Sequence, residues 1–150
     1  MLKIITINLA AAVLFLANEA SATTLTPIDL NDFFADPTVT VAPDGNSASL
    51  QEDPALSVVL LSNNPGLGDP NVVIPGPGTS LIFDFVFSEP VNNDDEFGAF
   101  VIDAATGLSA GPAFEFFTQV SSLGTVTFDI SSLVGQTLGL QFQLAAPRLC

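Results

Sequence analysis

The sequence predicts an all-β fold: an antiparallel β-sandwich of about eight strands, preceded by a signal helix. Three observations support this prediction. Apolar and polar residues alternate along several short segments, helical periodicity is weak after residue 22, and clusters of Gly, Pro, Asn and Asp separate the segments. Short strands at this spacing are typical of two-sheet sandwiches of the jelly-roll kind. We therefore expect one jelly-roll-like β-domain over residues 23–150.

The first 22 residues have the pattern of a cleavable signal peptide. Lys3 supplies the positive charge, residues 4–16 form the apolar core, and Ala20-Ser21-Ala22 is a small-residue cleavage site. The core is shorter than the roughly 20 residues of a membrane span. We expect a signal helix over residues 1–22, export across the inner membrane, and a secreted product without a membrane span. The alternative is a buried N-terminal helix.

Three segments show the strand alternation most clearly: Ser80–Ser88, Ala113–Val120 and Leu138–Leu144. In the second of them Phe117 falls on the face opposite Phe116. The remaining strands are predicted at Val39–Val41, Ala48–Leu50, Ser57–Leu61, Phe97–Asp103 and Thr125–Ile130. A single helical turn is expected at residues 131–134, with Gly135 as its left-handed terminator.

Phenylalanine is the only aromatic residue type in the chain, with 13 Phe and no Trp or Tyr. Most of these side chains fall on the inward faces of the predicted strands. A fully buried Phe contributes about 1.5–3 kcal/mol, so the set could anchor a core. At alternating strand positions this interpretation is favoured over a ligand platform.

The charge balance excludes several classes of partner. The chain has 16 acidic and 2 basic residues, and Arg148 is the only basic residue after the signal segment. Such a surface repels phosphate, which argues against nucleic acid and anionic lipid as partners. It attracts cations instead.

The residue types that most catalytic sites need are missing. The sequence has no His, and its one cysteine, Cys150, can form neither an intramolecular disulfide nor a Cys-based zinc site. We therefore predict that the protein is not an enzyme and has neither catalytic nor cofactor-binding residues. A glycosidase using two carboxylates is the alternative.

An acidic segment provides candidate metal ligands. Asp94, Asp95 and Glu96 lie together between two strong strands, and Asp103 follows. Clustered oxygen ligands on loops suit Ca²⁺, although the spacing does not match an EF-hand. These four residues are the candidate calcium site, and a solvated acidic turn is the alternative interpretation, which is favoured for this segment.

Three segments carry a resemblance to a known bacterial family. They are residues 29–41 (DLNDFFADPTVTV), 61–70 (LSNNPGLGDP) and 128–144 (FDISSLVGQTLGLQFQL). Together they resemble the extracellular β-sandwich part of exosortase-sorted (PEP-CTERM) proteins of Gram-negative bacteria. The resemblance implies export and a role at the cell surface or in an extracellular polysaccharide matrix, and it brings no catalytic residues.

The resemblance also sets an expectation for the C-terminus. Such proteins end in a Pro-Glu-Pro motif, an apolar helix and a basic cluster, whereas this chain ends Ala145-Ala146-Pro147-Arg148-Leu149-Cys150. We therefore expect a domain truncated at its C-terminal end, without its last strand. A sheet that lacks a strand has an exposed edge, so self-association through that edge is expected.

The functional hypotheses follow from these observations. The first is a noncatalytic structural or adhesion module of the cell surface or extracellular matrix, stabilised by Ca²⁺, with polysaccharide or surface proteins as partners. The alternative is a carbohydrate-binding module, in which an exposed Phe row replaces the usual Trp and Tyr.

Overall fold

The alternating segments form the strands of two antiparallel sheets. In the computed structural model, residues 4–8, 26–64, 76–89 and 95–146 are described. The predicted all-β class is confirmed. The strands are β1 (Ile4–Asn8), β2 (Phe34–Ala35), β3 (Val39–Val41), β4 (Ser47–Gln51), β5 (Val58–Asn63), β6 (Ser80–Phe87), β7 (Glu96–Asp103), β8 (Leu108–Ser109), β9 (Glu115–Thr118), β10 (Ser122–Asp129) and β11 (Leu138–Ala145).

The strand order puts most neighbours in the chain into different sheets. The five-stranded sheet has the order β10-β6-β1-β4-β3, and the six-stranded sheet has the order β2-β5-β11-β7-β8, with β9 also paired to β7. β5, β6 and β7 each lie in the sheet opposite the preceding strand, and β10 and β11 again lie in different sheets. This crossing between layers matches the expected jelly-roll-like sandwich.

Phenylalanine rings join the two layers. Phe83 on β6 meets Phe142 on β11 edge-on, with the ring centroids 5.2 Å apart, and Phe85 stacks on Phe97 of β7 at 5.6 Å. The interpretation of the Phe set as core is confirmed for the eight buried members. They are Phe33, Phe83, Phe85, Phe87, Phe97, Phe114, Phe128 and Phe142.

The predicted helical turn is also present. A 3₁₀ turn spans Ser131–Leu133, and Gly135 follows it with a φ of 84°. The Asp129 carboxylate accepts hydrogen bonds from the backbone N–H and the hydroxyl of Ser131, which fixes the start of the turn. This turn connects β10 in one sheet to β11 in the other.

The N-terminal segment differs from the prediction. Ile4–Asn8 is strand β1, so the signal helix expected over residues 1–22 is wrong for these five residues, and the rest of that segment lies outside the described residues. The physical reason is local: Ile-Ile-Thr-Ile is a run of β-branched residues, which favour the extended backbone.

The exposed edge is not at β11. This strand is paired on both sides, with β5 and with β7. Among the described residues, the longest strand with a partner on one side only is β10, which pairs with β6.

Candidate functional site

The four predicted calcium ligands do not form one site. Glu96 begins β7 and Asp103 ends it, so the two residues are separated by the length of an eight-residue strand, about 23 Å. Asp95 is buried immediately before β7, and Asp94 lies outside the described residues. The prediction that Asp103 joins the other three around one ion is therefore wrong, because the strand between them is fully extended.

Glu96 and Asp103 have local roles. The Glu96 carboxylate accepts a hydrogen bond from the side-chain amide of Gln119, at 3.0 Å. Asp103 accepts from the backbone N–H of Ala105 at 2.9 Å and from the hydroxyl of Thr106 at 3.1 Å. It thereby closes the turn between β7 and β8. Within the described ranges, no three His, Cys, Asp or Glu side chains are grouped so that they could hold a metal ion.

A shallow depression lies beside the same turn. Residues 103–105 form one wall and residues 135–137 form the other. Asp103 is its single carboxylate, and that group already accepts two hydrogen bonds. A hydrolytic site built on two carboxylates needs a second acid at this place, and the lining provides none.

The outer face of the six-stranded sheet carries a different group of side chains. The register aligns Phe34, Ser62, Gln141 and Phe100 in one row across β2, β5, β11 and β7. Gln143, Gly98 and Phe117 form the adjacent row across β11, β7 and β9. We call Phe34, Phe100, Phe117, Gln141 and Gln143 the Phe–Gln face.

The aromatic members of this face are accessible. Phe34 is 54 % exposed and Phe117 is 46 % exposed, whereas Phe100 is half-buried. Phe100 and Phe117 contact each other edge-on, with centroids 5.1 Å apart. Phe34 and Phe100 are separated by three strand spacings, about 14 Å. The face is therefore wide enough for an extended ligand.

Gly98 allows the central part of the face to pack closely. A Cβ atom at this position would lie 3.0 Å from Cε2 of Phe100 and 3.2 Å from Cγ of Gln143. These two side chains therefore converge over the glycine, where any larger residue would push them apart. The result is that the Phe100 ring and the Gln143 side chain both lie over Gly98.

The two glutamines add directional polar groups. The Gln141 amide nitrogen donates to the Gln143 amide oxygen at 3.2 Å. This bond fixes the two amides relative to each other. In the part of the chain that the structure describes, the Gln143 amide nitrogen and the Gln141 amide oxygen have no hydrogen-bond partner. One donor and one acceptor are thus available next to the phenyl rings.

Sequence reasoning missed the Phe–Gln face as a unit. It put Phe117 opposite the core face of its strand and alternated Gln141 and Gln143 with core residues. It did not predict that β9, β7 and β11 are neighbours. It also assigned no strand to Phe34. The signal that could have been used was the exclusion of these Phe and Gln residues from the apolar faces.

Comparisons with protein-family models, with curated proteins and with solved structures gave no match. No helix in the described ranges has the length and hydrophobicity that crossing a membrane requires.

Proposed function

We propose that the protein is an exported, noncatalytic structural or adhesion module of the cell surface or extracellular matrix, and that the Phe–Gln face is its contact surface. The observation that carries the proposal is an outer sheet face on which the exposed rings of Phe34 and Phe117 lie near the paired amides of Gln141 and Gln143. A loop-rimmed cleft with reactive side chains would point to catalysis instead. The signal-like N-terminus and the family resemblance support export.

The location is tested by mass spectrometry of the protein produced in its own host. We expect a chain beginning at Thr23 in the extracellular or surface fraction. A chain that retains Met1–Ala22 and stays inside the cell would contradict export, because the leader would then not have been processed.

A carbohydrate ligand is the second candidate, and the Phe–Gln face is what favours it. The apolar face of a sugar ring packs on an aromatic side chain, and its hydroxyls need donors and acceptors at the ring edge. Phe100 and Phe117 supply the rings, and Gln141 and Gln143 supply the polar groups. Because the molecule carries a formal charge of −14, neutral polysaccharides are expected to bind better than anionic ones.

Affinity electrophoresis in gels that contain neutral polysaccharides tests the carbohydrate candidate. We expect at least one polysaccharide to retard the protein, and Phe100→Ala combined with Phe117→Ala to weaken binding about tenfold, equivalent to about 1.4 kcal/mol. The matched control is Leu123→Ala, which removes an apolar side chain that is 79 % exposed on the other sheet.

Two results would count against this candidate. One is the absence of retardation in every gel. The other is equal weakening by the Phe pair and by Leu123→Ala, because the effect would then be a general loss of exposed apolar surface. Circular dichroism of each variant checks that the fold is retained.

A further inference from the structure

Strand β1 occupies the middle of the five-stranded sheet, although it belongs to the segment expected to be removed at export. Residues 4–8 pair with Gln51–Ser47 of β4 on one side, and residues 6–8 pair with Val86–Asp84 of β6 on the other. Cleavage after Ala22 would take this strand away. The sheet would then have two facing edges in its interior.

The two edges cannot simply join each other. β1 is antiparallel to both β4 and β6, so β4 and β6 run parallel to each other. Closing the gap directly would create a parallel pair in sheets whose described pairs are all antiparallel, and it would move β4 by one strand spacing, about 4.8 Å. An antiparallel strand between them avoids both changes.

The two strands that border the gap, β4 and β6, are held in place by buried side chains of the core. Ala48 and Leu50 of β4 and Phe85 of β6 are all buried in the hydrophobic core. The Phe85 ring contacts Phe97 of β7 at 5.6 Å and Phe116 of β9 at 4.9 Å, both in the opposite sheet. Moving either strand would therefore pull buried side chains out of their contacts.

We propose that the gap between β4 and β6 is a strand-acceptor site: after the leader is removed, an extended segment of another polypeptide takes the place of Ile4–Asn8. The inference rests on the export part of the proposed function. Addition of a strand to an open sheet edge is a general mode of peptide recognition, with main-chain hydrogen bonds for affinity and alternate side chains for specificity. Here the added strand would gain hydrogen bonds on both of its sides.

The register defines the chemistry of the incoming strand. One position lies between Ala48 and Phe85, where the present strand has Ile7, and another lies opposite Leu50, where it has Ile5. These positions call for branched apolar residues, because their neighbours belong to the core. The position between them lies next to Ser49 and Val86 and is Thr6 in this chain. The partner segment is therefore alternating, apolar at every second residue.

The negative charge of the protein restricts which partner segments can bind. Asp84 lies at the end of the gap, opposite Asn8, and the remaining chain keeps 15 of the 16 acidic residues. An acidic partner segment would be repelled, and a neutral or cationic one is favoured. The present strand fits this rule, because it is uncharged and follows Lys3.

The test begins with the full chain, folded with its N-terminus in place. A specific protease site is inserted between Ala22 and Thr23, the purified protein is cut, and the two pieces are passed through a size-exclusion column. A fluorescein-labelled peptide comprising Leu2–Leu9 is then added to the cut protein, and exchange is followed by fluorescence anisotropy. The matched control peptide carries Thr6→Pro, which removes a backbone donor from a strand paired on both sides.

We expect the N-terminal piece to co-elute with residues 23–150 after cutting, and the labelled peptide to replace it. The Thr6→Pro peptide should bind at least about tenfold more weakly. Release of the N-terminal piece, with an unchanged melting temperature and no binding of the labelled peptide, would overturn the proposal. Self-association after cutting that the added peptide reverses would overturn the choice of partner, because a second copy would then fill the gap.

This experiment is independent of the test of export. If the chain keeps its N-terminus in the host, the proposal of export is rejected. The cut protein would still bind the peptide if the gap between β4 and β6 accepts strands. Conversely, if cleavage after Ala22 is confirmed but the cut protein does not bind the peptide, only the strand-acceptor proposal is rejected.

Discussion

At Gly45 the backbone has a φ of 70°, and the Asp29 carboxylate lies where a Cβ atom would be. The same carboxylate accepts a hydrogen bond from the backbone N–H of Asn31 at 2.9 Å, and Leu30 N–H donates to the Gly45 carbonyl at 2.9 Å. Leu30 is a fully buried core residue. Gly45 is thus the point at which residues 29–31 are held against the sandwich.

We predict that Gly45→Ala lowers the melting temperature more than Gly107→Ala. Both positions have a positive φ, which costs a non-glycine residue about 1–2 kcal/mol. A Cβ at Gly107 meets nothing within 4 Å, whereas one at Gly45 would displace Asp29 and disturb the seating of Leu30. Thermal unfolding followed by circular dichroism measures the difference. Equal losses would show that backbone conformation alone decides the cost at both positions.

Asp129 offers a second prediction at the residue scale. Hydrogen bonds from the Ser131 hydroxyl and backbone N–H hold the pKa of the Asp129 carboxyl below its ordinary value. A lowered folded-state pKa contributes stability that is present above the unfolded-state pKa and is lost as the pH falls through the folded-state pKa. Ser131→Ala should raise the pKa of Asp129 towards its ordinary value.

Carboxyl NMR titration of the wild type and of Ser131→Ala measures that shift. Ser132→Ala is the matched control, because it removes a neighbouring hydroxyl that forms no hydrogen bond to Asp129 in the described structure. An unchanged Asp129 pKa in Ser131→Ala would mean that the side-chain hydrogen bond is not the main cause of the lowered value.

Among the elements, β10 is the one most exposed to unwanted pairing. It has eight residues and pairs only with β6 among the described strands, so one side of its backbone is available to another chain. Leu123 on β10 is 79 % exposed and lies opposite Val86 of β6, which is 43 % exposed. An open edge beside an apolar pair favours contact between molecules.

We predict that Leu123→Lys reduces self-association, since a charged edge residue opposes edge-to-edge pairing. Leu108→Lys is the control, because Leu108 is 69 % exposed but lies on the two-residue strand β8 of the other sheet. Sedimentation velocity at increasing protein concentration compares the two variants. If both shift the association equally, the effect belongs to the added charge and not to the β10 edge.

The sequence locates β3, β6, β7 and β11 to within one residue and misses the two-residue strands, for a physical reason. In β6 a Leu and three Phe alternate with less buried residues, so the period of two locates the strand to within one residue. β2 and β8 have two residues each, too few to show a period. β9 begins later than expected because Pro112 opens a 3₁₀ turn that continues to Phe114.

The Phe–Gln face depends on pairing between distant strands, which the local pattern of the sequence does not show. Phe117, Gly98 and Gln143 become neighbours only because β9, β7 and β11 pair in that order. The grouping of Asp103 with Glu96 in one calcium site is wrong for the opposite reason: the two residues are close in sequence, but an extended strand separates them. Residues that are close in sequence along a strand can be far apart in space. The alternation of side chains along the strand does predict which face of the sheet each residue occupies.

At the scale of the whole molecule, the dominant electrostatic feature is repulsion. The formal net charge is −14, and only two basic residues are present in 150. Most carboxylates therefore have no nearby cation to offset them, and the compact state concentrates their charges. Added salt screens these interactions, because the Debye length falls from about 30 Å at 0.01 M to below about 8 Å at 0.5 M.

We predict that the melting temperature rises with NaCl concentration over this range, and that Ca²⁺ and Mg²⁺ raise it equally at matched ionic strength. The equality follows from the structure, since the described carboxylates are not grouped as ligands around one ion, and both cations then act by neutralising dispersed charge. Thermal unfolding in EDTA, in MgCl₂ and in CaCl₂ provides the comparison. A rise specific to Ca²⁺ would contradict the prediction and would make Asp94, Asp95 and Glu96 the first candidate ligands to test. Asp94→Asn would then abolish the specific part of the rise, whereas Asp44→Asn, in the turn between β3 and β4, would leave it unchanged.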